Sequence, residues 1–176
     1  MGRTVGDMVR SLLVVLAFVA VLLFVTWRGH PEAVKVVDPA PFVAVAALNA
    51  PFTVVAPTML PEEWRPTSAR WEATPKSGAD RVLHIGYVTP TDAYAQVSQS
   101  ANTSAAYLAE QTDYGVADGK QSIAGVEWQR WESGDRRSLV RLADGSATIV
   151  SGTATWDELI ALVGALTVQA PQTVQR

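Results

Sequence analysis

The chain has 176 residues, with 14 basic and 17 acidic side chains and a formal net charge of −3. That balance has no basic stripe and speaks against a nucleic-acid partner. The lack of any cysteine excludes disulfides, thiolate metal sites, a cysteine nucleophile and a lipid-modified cysteine. The length suits one modest domain and an anchor.

The first element is apolar. SLLVVLAFVAVLLFVTW, Ser11 to Trp27, contains no charged residue. Roughly 17 to 20 helical residues span about 25 to 30 Å, close to the thickness of the hydrocarbon layer. The run is apolar on every face, unlike a one-sided core helix. It is longer than the core of a cleavable signal and ends in TWRGHPE, without a small-residue cleavage site. We therefore expect residues 11–27 to be a transmembrane signal anchor in the lipid bilayer, after a short cytoplasmic N-terminus, residues 1–10. Arg10, Trp27 and Arg28 would mark the membrane interface. Arg3, Arg10 and the amine precede the run; Arg28 and Lys35 follow it. This slight positive-inside bias puts the remainder outside the cytoplasm.

Residues 28–49 read as a juxtamembrane linker and a short helix. Asp38 offers an N-cap, Pro39 a first helical position, and Phe42, Val45 and Ala46 a shared apolar face. A folded domain is expected over residues 50–169, and a frayed polar tail over 170–176. In that domain FTVVAP and TSARWEA read as strands. RVLHIGYVT alternates, with Leu83, Ile85 and Tyr87 on one face and Val82, His84 and Val88 on the other. PTD turns it into AYAQVSQS. NTSAAYLAEQTDYG reads as a helix capped by Asn102 or Thr103 and closed by Gly115. GVEWQRWES, RRSLVRLA and SATIVSGT read as three further strands, the last two joined by the tight turn Asp144-Gly145. TWDELIALVGAL opens with a capping box, Thr155 and Glu158, and carries Leu159, Leu162, Val163 and Leu166 on one face. The fold class is therefore α+β: an N-terminal transmembrane helix, then a mainly antiparallel β-sheet flanked by helices.

Catalytic patterns are missing. There is no G-x-S-x-G, S-x-x-K or H-E-x-x-H, no phosphate loop and no calcium loop. The histidines are His30, in the linker, and His84, mid-strand, where a packed or hydrogen-bonded structural role is the simpler account. No catalytic residue, metal site or cofactor is expected. Arg130, Arg136, Arg137 and Arg141 cluster around one hairpin and offer an anionic contact. Their interleaving with Glu127, Glu132 and Asp135 equally describes a solvated, cross-strand-paired face. Trp128 and Trp131 have opposite parity, so one belongs in the core and one at the surface. Trp64, Trp71 and Tyr87 are either core packing or the walls of an apolar binding groove.

Four blocks carry a resemblance: PFTVVAPTMLPEEWRPTSARW, LHIGYVTPTDAYAQVSQS, AGVEWQRWESGDRRSLVRL and TIVSGTATWDELIALVGAL. Together they resemble the actinobacterial membrane-anchored domain-of-unknown-function family numbered 4245. Leu60 to Trp64 and His84 to Tyr87 are the most specific pieces. A looser likeness to bacterial extracytoplasmic domains beginning P-x-x-L-P-E-G-[FYW] is broken at Glu63, where those have glycine. The resemblance implies an anchor and domain limits, and brings no reaction or catalytic set. The expectation is a noncatalytic single-pass protein of the cell membrane. Its extracytoplasmic domain binds a protein partner, as accessory subunit or scaffold of an envelope complex. The alternative is a carrier or sensor of an apolar ligand such as lipid.

Overall fold

The computed structural model describes residues 5–27, 35–73 and 80–170. It forms two compact units, Met1–Val34 and Lys35–Arg176.

The first unit is one helix, α1 (Val5–Trp27). Leu12, Val14, Leu16 and Phe18 point in different directions around it, and each is 55–66% exposed. Arg10 is exposed; the Trp27 side chain and Arg28, both expected at an interface, lie outside the described residues. Among the described residues no helix is long and apolar enough to cross a membrane.

The second unit starts with α2 (Ala40–Asn49). The Asp38 carboxylate accepts from the Ala40 N–H at 2.9 Å, but the N-cap falls on Pro39 rather than on Asp38 as expected. Pro39 has helical φ and ψ, its carbonyl accepts from the Phe42 and Val43 N–H groups, and no side chain caps the helix from that position. Its buried face differs from expectation: Val43 and Ala46 are buried, while Phe42 and Val45 are exposed. The 43/46/47/50 stripe has the same helical period, shifted by one residue, and packs on the core.

Strand β1 (Val55–Pro57) follows, then β2 (Arg65–Ala73), β3 (Arg81–Val88) and β4 (Tyr94–Ser100). Helix α3 (Ala105–Gln111) leads to β5 (Val116–Ile123), β6 (Val126–Ser133), β7 (Arg136–Ala143) and β8 (Ser146–Gly152). The chain ends in α4 (Trp156–Gly164) and β9 (Leu166–Val168). Seven strands form one antiparallel sheet in the order β2-β3-β4-β8-β7-β6-β5, and β1 pairs with β9 in a separate ribbon. The sheet is thus two meanders, β2–β4 and β5–β8, joined along β4 and β8 with Val97 opposite Val150.

Alternation divides the sheet's faces. Leu83, Ile85, Tyr87, Val97, Trp128, Leu139 and Val150 point into the larger core, which α2, α4 and the β1–β9 ribbon cover. Val82, Val140, Ala147 and Ile149 point the other way and meet Tyr107 and Leu108 of α3, with Trp131 at the margin. The β-sheet between flanking helices is the α+β architecture that the alternation and capping signals predict.

Several local expectations shift. Ser104, not Asn102 or Thr103, caps α3, accepting from the Tyr107 N–H at 3.2 Å; Asn102 instead holds the Ser104 N–H. Gly115 does not close α3 in the left-handed region; Asp113 and Tyr114 do so, each at φ 56°. Gly115 is a close approach, where a Cβ would lie 3.1 Å from the Glu132 carbonyl. Helix α4 stops at Gly164, so Leu166 belongs to β9 rather than to the helix face. The Asp144-Gly145 turn has positive φ at both residues, as a tight primed hairpin requires.

Candidate functional site

The turn at Leu60-Pro61 positions Trp64, whose N–H donates to the Pro61 carbonyl at 3.0 Å. The indole enters the core and meets Tyr87 edge-on, 6.2 Å between centroids and 76° between planes. Trp64 is 7% and Tyr87 4% exposed, and burial pushes the Tyr87 hydroxyl up to about 12. Trp71 is not with them. It sits opposite Leu83 in the register and packs edge-on against Phe52 at 6.5 Å. One cleft of 350 Å³ touches Trp64, between Met59, Leu60 and the α4 residues Ala161 and Gly164; neither Tyr87 nor Trp71 lines it.

The four arginines also separate. Arg130, Arg137 and Arg141 share the face of Leu139, whereas Arg136 has the opposite parity. The Arg130 guanidinium lies 3.9 Å from the centroid of the Trp156 ring and donates to Asp118 at 3.4 Å. The Trp156 N–H in turn donates to Glu132 at 3.2 Å, and Arg137 donates to the Ala154 carbonyl at 3.3 Å. These contacts fasten the start of α4 to β5, β6 and β7. A cation–π contact at such a partly exposed place contributes about 0.5–1 kcal/mol.

Arg141 is different. It reaches a second cleft of 220 Å³ between the sheet, α4 and β9, walled by Val55, Ile123, Val126, Trp128, Val163 and Leu166. Among the described residues no acid forms an ion pair with Arg141. The neighbouring polar groups are committed to the fold: Gln99 donates to Thr148 at 2.9 Å and accepts from the Val55 N–H at 2.8 Å. The cleft is therefore an apolar slot with one guanidinium on its wall, chemistry that suits an amphiphile with an anionic end.

His84 shares a 2.9 Å hydrogen bond with Ser98 across β3 and β4. Ser98 is fully buried, so its hydroxyl cannot meet a substrate in this conformation. Burial and then Arg70 hold the His84 ring below its ordinary pKa, against the upward pull of Glu72, which favours the neutral imidazole. His30 lies outside the described residues. Among the described residues no group of three or more acidic or histidine side chains is placed to hold a metal.

The Arg141 cleft was not assembled by sequence reasoning. The parity of Leu139 and Arg141 was readable, but the wall formed by β9 was not.

The geometry defines a class: an α+β domain built on one seven-stranded antiparallel sheet, with helices on both faces and shallow apolar clefts around α4. Within that class the chain belongs to the family described as "Protein of unknown function (DUF4245)", whose model matches residues 1–166. The match spans α1 and the domain as far as the first residue of β9. No curated protein and no solved structure matches the chain.

Proposed function

We propose that the protein is a noncatalytic single-pass membrane protein whose extracytoplasmic domain binds a protein partner, as an accessory subunit or scaffold of an envelope complex. The observation that carries this reading is how the reactive side chains are used. His84 is tied to buried Ser98, Arg130 to Asp118 and Trp156, Arg137 to a carbonyl, and Glu158 to a helix cap. Apolar side chains, by contrast, stay outside: Tyr114 is 74% and Val116 75% exposed where the chain enters the edge strand β5. The anchor reading rests on the uncharged run from Ser11 to Trp27 and on apolar side chains exposed all around α1. Orientation rests on the small excess of positive charge before that run.

A second reading, an extracytoplasmic carrier or sensor of an apolar ligand such as lipid, is favoured by the Arg141 cleft. One experiment addresses both. Tagged full-length protein is solubilised from its own membranes in mild detergent, and the eluate is analysed for proteins and extracted lipids. A stoichiometric protein lost in Val116→Glu supports the first reading. An anionic lipid lost in Arg141→Gln, with no protein, supports the second. An eluate with neither, from a preparation shown to be folded by circular dichroism, overturns both.

A further inference from the structure

We propose that α2 lies on the surface of the bilayer, with Val45 and Leu48 entering the boundary between headgroups and acyl chains. This rests on the anchor reading given above. The ten residues Ala40–Asn49 contain no charged side chain, and α2 is apolar on two opposite sides. One side, Val43 and Ala46, is buried in the core of the domain. The other holds Val45 at 48% and Leu48 at 56% exposure, beside exposed Pro41 and with Phe42 at its margin at 37%. Single exposed leucines are ordinary. A helix without charge that is apolar on both sides is at home when both sides are covered.

Chain length limits what can cover the second side. Lys35 follows Trp27 by eight positions, so the chain between them spans at most about 29 Å. With α1 in the bilayer, the approach to α2 stays within that distance of the end of the anchor. The membrane surface is thus the apolar phase always within reach. The chemistry of the stripe also fits a fluid surface better than a directed protein contact. Its sole amide side chain, Asn49, donates back to the Val45 carbonyl at 2.7 Å, which leaves few polar groups to set a register with a partner. Binding of this kind scales with the apolar area buried rather than with particular pairings.

The test uses the absence of cysteine. The full-length chain carrying Leu48→Cys, Leu16→Cys or Ser122→Cys is spin-labelled and reconstituted into phosphatidylcholine–phosphatidylglycerol vesicles. Collision with oxygen, which concentrates in the acyl phase, is compared with collision with a water-soluble nickel complex. The expected order of the oxygen-to-nickel ratio is position 16 above 48, and 48 above exposed position 122 on β5. A ratio at 48 equal to that at 122, with 16 still in the acyl phase, overturns the α2 proposal and leaves the anchor standing. A label at 16 that collides freely with nickel overturns the anchor reading and this proposal with it. A label at 48 shielded from both reagents means a protein covers the stripe, and likewise overturns the proposal.

Discussion

Glu158 closes the first turn of α4 from two directions. Its backbone N–H donates to the Thr155 hydroxyl at 3.3 Å, while its carboxylate accepts from the Thr155 N–H at 3.0 Å and hydroxyl at 3.1 Å. The Thr91 hydroxyl, from the turn between β3 and β4, donates to the other carboxylate oxygen at 2.9 Å. Burial acts to raise the pKa. Hydrogen bonds from Thr89, the Thr155 backbone, Thr91 and the Thr155 hydroxyl outweigh it and hold the carboxyl below its usual range. A depressed folded pKa means that the unfolded chain binds the proton more readily. The contribution of Glu158 is therefore complete above about pH 4.3 and is lost as pH falls through the lower folded value. Glu158→Gln keeps an acceptor for the capping box and removes the negative charge at the helix N-terminus, so it is expected to be about 0.5 kcal/mol less stable at pH 7. The gap should narrow in acid. Urea midpoints from pH 7 to pH 3 check this, and a gap that stays constant contradicts it. This residue was legible from the T-x-x-E spacing alone. Its bond to Thr91 was not, because 67 positions separate the partners. The same limit applies to Trp64 and Tyr87: each reads as core or groove in isolation, and only their edge-on contact places them in the core.

Two elements were invisible in sequence, for different reasons. Strand β5 is a sheet edge with most of its side chains exposed and a register shift between Ala117 and Lys120. Neither alternation nor an apolar run marks such a strand, and the bulge with its charges is how an edge is kept from pairing further. Strand β9 has only three residues, and Leu166 continues the apolar period of α4, so the helix pattern absorbs it. What stops the helix is pairing: Leu166 faces Pro57, Val168 faces Val55, and the Gln169 N–H donates to the Val54 carbonyl at 2.9 Å. Leu166 also packs against the core and walls the Arg141 cleft. Truncation after Ala165 removes this cover. It is expected to cost about 1–2 kcal/mol, less than the loss of a fully buried leucine, because Leu166 is partly buried against the core. Chemical denaturation of the truncated and full-length chains gives the difference, and unchanged stability would show that β9 covers nothing essential.

At the scale of the whole molecule, strand alternation predicted two-faced strands but not their order. Hairpins join β2 to β3, β3 to β4, and β5 through β8 in sequence. The β3–β4 and β7–β8 turns are marked by Pro90-Thr91-Asp92 and Asp144-Gly145, whereas the β5–β6 hairpin shares the invisibility of β5. The seam between β4 and β8 has no such mark, because it is set by α3 carrying the chain across one face of the sheet to its far edge. Along that seam Ala95, Val97, Ile149 and Val150 are at most 1% exposed, whereas β5 is nearly bare. Native-state hydrogen exchange should therefore be slowest at the amides of β4 and β8 and fastest along the outer edge of β5. Equal protection across the sheet would contradict this division into two meanders. The order of attachments along the chain has a mechanical consequence. Among the described residues, a pull on the N-terminal side of the domain meets the hydrogen bond from the Val37 N–H to the Pro66 carbonyl at 2.8 Å. It next meets α2, seated through Val43 and Ala46, and then the three-residue strand β1. The seven-stranded sheet comes last. These attachments lie in series along the chain, so tension from the N-terminal side loads α2 and β1, which cover one face of the core, before it loads the sheet itself.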